Sequence, residues 1–568
     1  MAKRLFGATP RILYSHTTIA FTRRILARPV STLPEMPEPC DLFDYTSGRW
    51  IYNDNLRQRE RRRVFNISEL KRLAALAVQQ KKADVIEFKK LAEGGFNRSF
   101  LITMRDGYQF VARIPYPATE PKYLVVASEV ATLDFLRAHG IPVPKVFDYS
   151  AVADNSAGTE YIFLEYVQGK NLGDVWYSLS ELERRELVAR IVQLEYRLFS
   201  LRFPASGSLY YCNDLPDNYP RVNFPSPEST QRFCIGPDTS LRLWYGKRLN
   251  LSVERGPYRD PLAVLTAGAE KEMAYLEKFG RPLQPFQRLR REVYDYQPQS
   301  HLEHAVALKK YLQIAPYLIP HDCPDLHRPA IRHPDLQPNN IFITDDMEVK
   351  GLIDWQHSTI LPLFLQCGIP ESLQNYGDEI SESLQFPTLP NNFDELEEIE
   401  QFQQAELLRR RQLHYYYVKL TAERNPEHYE ALTLHLSTLR QRLFHHASDP
   451  WEGDNMTLTA DLIALSRKWT DLTRDARTPC PISFSDDELT ECLRLDRAQS
   501  EADEQFHACQ EAIGVGHEGW VPLANYDEAK RNERKLKVDA LDAAETEEEK
   551  TRIQENWIFD DFCEEEYM

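Results

Sequence analysis

The chain has 568 residues, 42% of them hydrophobic and 27% charged, which is ordinary soluble composition and enough length for two or three globular units. No run approaches the roughly 18 apolar residues of a membrane-spanning helix. The net charge of −18 argues against non-specific nucleic-acid binding, which needs a basic face to displace counterions.

That charge is uneven. Residues 1–32 carry six Lys/Arg and no acid, with Lys3, Arg4, Arg11, Arg23, Arg24 and Arg28 able to share a helical face opposite Leu5, Ile12, Leu13 and Phe21. A cationic, amphipathic, Ser/Thr-rich opening is the pattern of a mitochondrial transit peptide, so the expected address is mitochondrial. At the other end, residues 539–568 hold twelve Asp/Glu against Lys550 and Arg552. Such a block predicts a solvated, self-repelling acidic tail over 531–568, with protein binding as a second reading. Nine cysteines, with no pair at CxxC spacing, predict neither a zinc site nor a disulfide framework.

In chain order, a Pro-rich spacer leads to an extension over 33–80 that holds aromatics and the basic run Arg57–Arg63. It is expected to pack on the domain that follows. Over 81–168 the rhythm becomes that of strands. Val85–Phe88, Phe100–Met104 and Phe110–Ile114 read as an antiparallel meander, with Glu93-Gly94-Gly95-Phe96-Asn97 at its first turn and Asp106-Gly107 at its second. Residues 125–139 read as a helix ended by Gly140. Lys145–Tyr149 and Tyr161–Tyr166 would complete a five-stranded sheet. Ser180-Glu181-Leu182-Glu183 has capping-box spacing and opens a helix with Leu187, Ile191, Leu194 and Leu198 on one side. From 169 to 530 the pattern is mostly helical, with a further hairpin at 341–353. The expected class is α+β.

The chemistry concentrates in His333-Pro334-Asp335-Leu336-Gln337-Pro338-Asn339-Asn340, then Ile341-Phe342-Ile343 and the returning Leu352-Ile353-Asp354-Trp355. Asp335, in a loop before a strand, can accept the proton of an attacking hydroxyl. Asn340 offers a neutral oxygen and Asp354 a carboxylate beside it, an oxygen pair that suits Mg²⁺ on the phosphates of ATP. Upstream and in order stand the Gly94-Gly95 turn, whose backbone N–H groups could cover phosphates, the strand cation Arg113, and Glu129 sixteen residues later to pair with it.

This array resembles the aminoglycoside phosphotransferase family. Tyr45–Trp50, Arg332–Asn340, Ile353–His357 and Phe364–Pro370 further resemble the fungal altered inheritance of mitochondria protein nine group, over about residues 41–530. The resemblance implies a kinase-like fold: a five-stranded antiparallel N-lobe, and a helical C-lobe with a large insert and a catalytic loop at 331–355. It implies ATP and Mg²⁺ as cofactors and Asp335 as the base. Asn340 and Asp354 would bind the metal, and His333 would support the loop. Nucleotide contacts would fall at Gly94, Gly95, Asn97, Arg113, Glu129 and Glu165. The partner would be a small hydroxyl-bearing acceptor. A protein kinase fits less well, because the metal aspartate lies in Ile-Asp-Trp and Pro370-Glu371 follows too soon for a regulated peptide platform. Two departures keep open a pseudokinase-like reading, in which nucleotide or a partner binds without turnover. Arg113 stands where the family has lysine, and Gln337 stands where such enzymes often carry His or Lys.

Overall fold

The computed structural model describes residues 41–225 and 232–568, so the leader 1–32 lies outside the described residues. The described chain begins with β1 (Gly48–Trp50), α1 (Asp54–Arg61) and α2 (Ile67–Ala77). Asn66 caps α2 by accepting from the Glu69 amide at 3.0 Å. That helix lays Leu70, Ala74 and Ala75 against Phe100, Ile102, Phe110, Ala112 and Phe163 of the sheet that follows.

The sheet comprises β2 (Val85–Glu93), β3 (Asn97–Met104), β4 (Gln109–Pro115), β5 (Val146–Ser150) and β6 (Tyr161–Glu165), with α3 (Lys122–Ala138) between β4 and β5. Its order is β2-β3-β4-β6-β5 and every pair is antiparallel. The five strands match the sequence reading to within a few residues at their ends. At the second turn Gly107 sits at φ +87°, a left-handed conformation that favours glycine, and the Asp106 carboxylate accepts from the Tyr108 amide. Gly140, at φ +74°, ends α3 as expected.

The helical lobe opens with α4 (Glu181–Phe199), whose Ser180–Glu183 capping box is formed in both directions. The hairpin-like insert β7 (Ser208–Tyr211) and β8 (Phe233–Gly236) packs on α3, and the Tyr211 hydroxyl donates to Asp134. Burial on two sides explains why α3 is apolar nearly all round. Beyond α5 (Pro261–Phe279) come β9 (Pro329–Ile331), the hairpin β10 (Ile341–Ile343) and β11 (Val349–Leu352), and β12 (Ile360–Pro362), which pairs with β9. The 27-residue α6 (Glu398–Arg424) then runs along α4. No helix among the described residues is long and apolar enough to cross a membrane.

The acidic tail corrects the sequence reading. After β13 (Trp520–Pro522), which pairs with β1, the chain forms α10 (Tyr526–Asp542) and α11 (Glu547–Glu555), then buries Trp557, Ile558, Phe559 and Tyr567. Glu564 is 1% exposed and bidentate to Arg57, each oxygen 2.6 Å from Nη2, and it also accepts from Asn53. The apolar anchors were masked by the acids around them, and the counter-charge comes from the far end of the chain. The Arg57–Arg63 run is therefore structural. Arg57 and Arg61 are buried, and Arg61 lies 4.5 Å over the Trp50 ring. Gly48 permits the β1–β13 approach, since a Cβ there would meet the Val521 carbonyl at 2.5 Å.

This clasp reaches the glycine turn. The Glu93 side chain, 1% exposed at the end of β2, accepts from the Thr46 and Ser47 amides at 2.8 Å and from Arg98 and Lys90. Burial alone would push this carboxyl up, but the Ser47 hydroxyl at 2.7 Å joins the amides and cations and together they hold it ionised, below its usual range.

Candidate active site

The candidate catalytic loop is built from its own backbone outward. His333, 4% exposed, donates from Nε2 to the Ile353 carbonyl at 2.8 Å and accepts the Asp335 amide on Nδ1 at 3.1 Å. One nitrogen donating and the other accepting is the neutral tautomer. Burial pushes the imidazole down to about 4, in agreement. His333 thus ties the loop to the segment that carries Asp354. Arg332 anchors the loop from behind. Its Nε pairs with the buried Glu195 of α4 at 2.8 Å, its Nη2 donates to the Gly368 carbonyl, and Tyr417 of α6 donates to Glu195.

Asp335 is exposed by area, though atoms packed around its carboxyl partly desolvate it and raise its pKa. A hydrogen bond from Gln337 pulls the other way, and the charge of Asp354 raises it again. Asn340 donates to the Asp335 carbonyl at 2.9 Å and to its Oδ2 at 3.1 Å, which leaves the Asn340 amide oxygen without a hydrogen bond. The Ile353 amide donates to the Asn340 carbonyl at 3.0 Å, so Asn340 and Asp354 flank the same end of the β10–β11 hairpin. Asp354 adopts φ +68°, a left-handed conformation costly for a residue with a Cβ. Trp355, fully buried and edge-on to His333, holds that backbone in place.

In the N-lobe, Arg113 on β4 is 7% exposed and Glu129 on α3 is 3% exposed. The Arg113 Nη1 donates to Glu129, the pair expected from the sixteen-residue spacing. Its Nη2 crosses between the lobes to Asp354. Desolvation would push the Asp354 carboxyl up, but the charge and hydrogen bond of Arg113 outweigh it and hold it below its usual range. Glu129, deeper, is pushed up to about 7 by burial against the pull of Arg113. With the Asn97 amide turned so that its oxygen faces the guanidinium, Arg113 also donates to it from Nη2 at 2.7 Å and from Nε at 3.1 Å.

Asn97, Arg113, Glu129, Asn340, Asp354, His333 and Asp335 thus form one connected array. At the turn, the Gly94 amide donates to the Asn97 carbonyl at 2.9 Å and so serves the turn itself; the Gly95 amide makes no backbone bond among the described residues. Phe96, at the tip, meets the His357 ring edge-on at 5.2 Å. Glu165 stands apart. Its carboxylate takes Arg137 and the Lys145 amide, each at 3.0 Å, and touches none of the array. Sequence reasoning gave no role to Gln356, whose side-chain amide lies against both Asn97 and Arg113, or to Glu195. Glu195 did leave a signal: it is a lone carboxylate beside Leu194 on the buried stripe of α4, where only a paired charge is tolerated.

As metal ligands, Asn340 and Asp354 present two oxygen donors on one hairpin end. That suits a hard cation which keeps several of its own waters and takes few protein ligands. When bound, such a cation would neutralise phosphate charge; Asn340 and Asp354 would hold it.

The model of the phosphotransferase enzyme family matches residues 87–364. A subtelomeric hrmA-associated cluster protein of Aspergillus fumigatus is 32% identical over 509 residues, covering 84% of this chain and 97% of that protein. Altered inheritance of mitochondria protein 9, mitochondrial, of Yarrowia lipolytica is 24% identical over 461 residues, with 75% and 76% covered. Among solved structures, the gentamicin-APH(2")-IIa complex is 13% identical, with 71% of this chain and 97% of that chain covered and a TM-score of 0.35. The sequence matches place the chain in the phosphotransferase enzyme family, with the altered inheritance of mitochondria protein 9 group among its relatives.

Proposed function

We propose that the chain is an ATP- and Mg²⁺-dependent phosphotransferase that moves the γ-phosphoryl group to a hydroxyl of a small acceptor in mitochondria. The observation that supports this best is the loop end itself: an accessible Asp335, braced by a neutral His333 and by Asn340, beside Asp354. In this reading Asp335 takes the acceptor's hydroxyl proton as its oxygen attacks phosphorus, and the bond to the bridging oxygen of ADP breaks. Gly94, Gly95, Asn97, Arg113, Glu129 and Glu165 belong to the nucleotide side, Glu165 through the strand it occupies rather than its engaged carboxylate. The basic leader and the mitochondrial names of the relatives support the location.

The test offers purified protein Mg-ATP and a metabolite pool and follows acceptor-stimulated ADP release. Asp335→Asn should keep ATP affinity within about twofold while lowering release at least roughly 100-fold, because a carboxamide can position a hydroxyl but cannot take its proton. Release that is unchanged in Asp335→Asn refutes the assignment. The pseudokinase-like reading has its own support, the occupancy of Arg113 by protein groups. It gains if wild type binds ATP and no acceptor stimulates release.

A further inference from the structure

The cation expected to meet phosphate is already engaged by protein groups on all three of its nitrogens. A guanidinium carries five N–H donors in a planar fork. In Arg113 one arm faces Glu129, the other faces Asp354 and Asn97, and Nε faces Asn97. Each nitrogen thus already faces a protein acceptor, and Asp354 holds the arm that crosses between the lobes. The two carboxylates differ in depth. The Glu129 side chain is 2% exposed, whereas that of Asp354 is 44% exposed.

The depth difference decides which half of the bridge can open. If Arg113 left Glu129, a carboxylate would remain buried without its partner, a costly outcome. If it left Asp354, Arg113 would keep Glu129 and Asn97, and Asp354 would face water or an arriving cation. The left-handed backbone of Asp354, fixed between the hairpin and buried Trp355, restricts the carboxylate from swinging to serve both partners. A dehydrated cation and a guanidinium on the same carboxylate would also repel each other at short range in a partly closed cleft.

We infer that Arg113 and a divalent cation compete for the Asp354 carboxylate, so that the ion pair latches the two lobes in metal-free protein and metal entry releases the latch at Asp354 while Glu129 keeps Arg113. This deepens the phosphotransferase reading and rests on it for the identity of the metal. The competing groups themselves are all in the chain. It also explains what arginine does here that lysine would not. Two separate nitrogens reach two carboxylates at once, and a single ammonium on a flexible stem holds that geometry less firmly.

The experiment titrates full-length, nucleotide-free protein with Mn²⁺ and reads free metal by electron paramagnetic resonance. Arg113→Lys, which keeps a cation for Glu129, should bind Mn²⁺ roughly two- to fivefold more tightly than wild type, the range of a partly exposed charge pair. The double variant Arg113→Gln with Glu129→Gln replaces the buried ion pair by two amides, which guards against misfolding, and should gain affinity similarly. Asp354→Asn should lose the site in every background. Unchanged Mn²⁺ affinity in both Arg113 variants overturns the competition, as does full binding by Asp354→Asn. A parallel ATP titration separates the two claims. Absence of ATP binding with the Mn²⁺ pattern intact would refute the phosphotransferase reading and leave the competition standing.

Discussion

The loop at His333–Asn340 and the C-terminal segment both bury charged or polar side chains, and they find partners at different ranges. His333, Asp335 and Asn340 are satisfied within about twenty residues, through bonds such as His333 to Ile353 and Asn340 to Asp335, while Asp354 at the end of the loop reaches across to Arg113. Glu564 is satisfied by Arg57 and Asn53, about five hundred residues away. A local network is set by the order of a few residues and survives small shifts of its surroundings. A long-range pair forms only when the whole fold has closed, so it reports on the closure of the molecule rather than on the loop.

The comparison breaks most visibly at Arg57–Glu564. Glu564→Ala leaves a buried guanidinium without its main counter-charge and should cost about 3–5 kcal/mol, read as a lower midpoint in chemical denaturation. Replacing both residues, Arg57→Met with Glu564→Leu, should recover most of that loss. If the single variant is as stable as wild type, the tail is not part of the folded body.

Acid sharpens the contrast from the loop side. His333 is neutral when folded, with its pKa pushed down to about 4, while an unfolded histidine titrates near 6.5. Between those values the unfolded chain binds more protons, so stability should fall as the pH drops from about 6.5 towards 4, and should be unaffected by this group above 6.5. His304, His414 and His446 are pushed down similarly by burial and add to the same window. The share of His333 should be on the order of 3 kcal/mol at pH 4. Thermal midpoints of wild type and His333→Asn between pH 4 and 8 measure it; parallel curves would show that the ring is not kept neutral.

The smallest effect belongs to the acids that made the tail look unfolded. Glu547 and Lys550 pair on the exposed side of α11. Glu547→Gln should change stability by less than about 0.5 kcal/mol. A larger loss would mean that the outer face of α11 also carries structure.

Much of this was readable from residue order, for reasons visible in particular elements. The five strands, the Asp106-Gly107 turn, the Ser180–Glu183 capping box and the hairpin carrying Asp354 depend on neighbours a few residues apart, and short-range chemistry leaves a pattern in the sequence. The Arg113–Glu129 pair was also within reach, because strand and helix follow one another. The second partner of Arg113 lies 241 residues away, and no spacing rule connects them. Glu165 was placed on the correct strand, but its carboxylate turned to Arg137, whose approach depends on how α3 ends. The tail failed for a compositional reason. Twelve acids outweighed four apolar anchors in any window average, although the anchors decide the structure.

The Glu93 carboxylate has a practical corollary for anyone trimming the protein. The region that matches the family begins at residue 87 and includes Glu93, but the Thr46 and Ser47 amides that satisfy it lie outside. Their strand neighbour β1 is in turn held by β13 near residue 521. A fragment cut to the family limits would therefore start with an acid stripped of its Thr46 and Ser47 donors, beside the Gly94-Gly95 turn. For expression and crystallisation the shortest sensible piece is set by this chain of dependencies, and it runs from the low forties through the last helices.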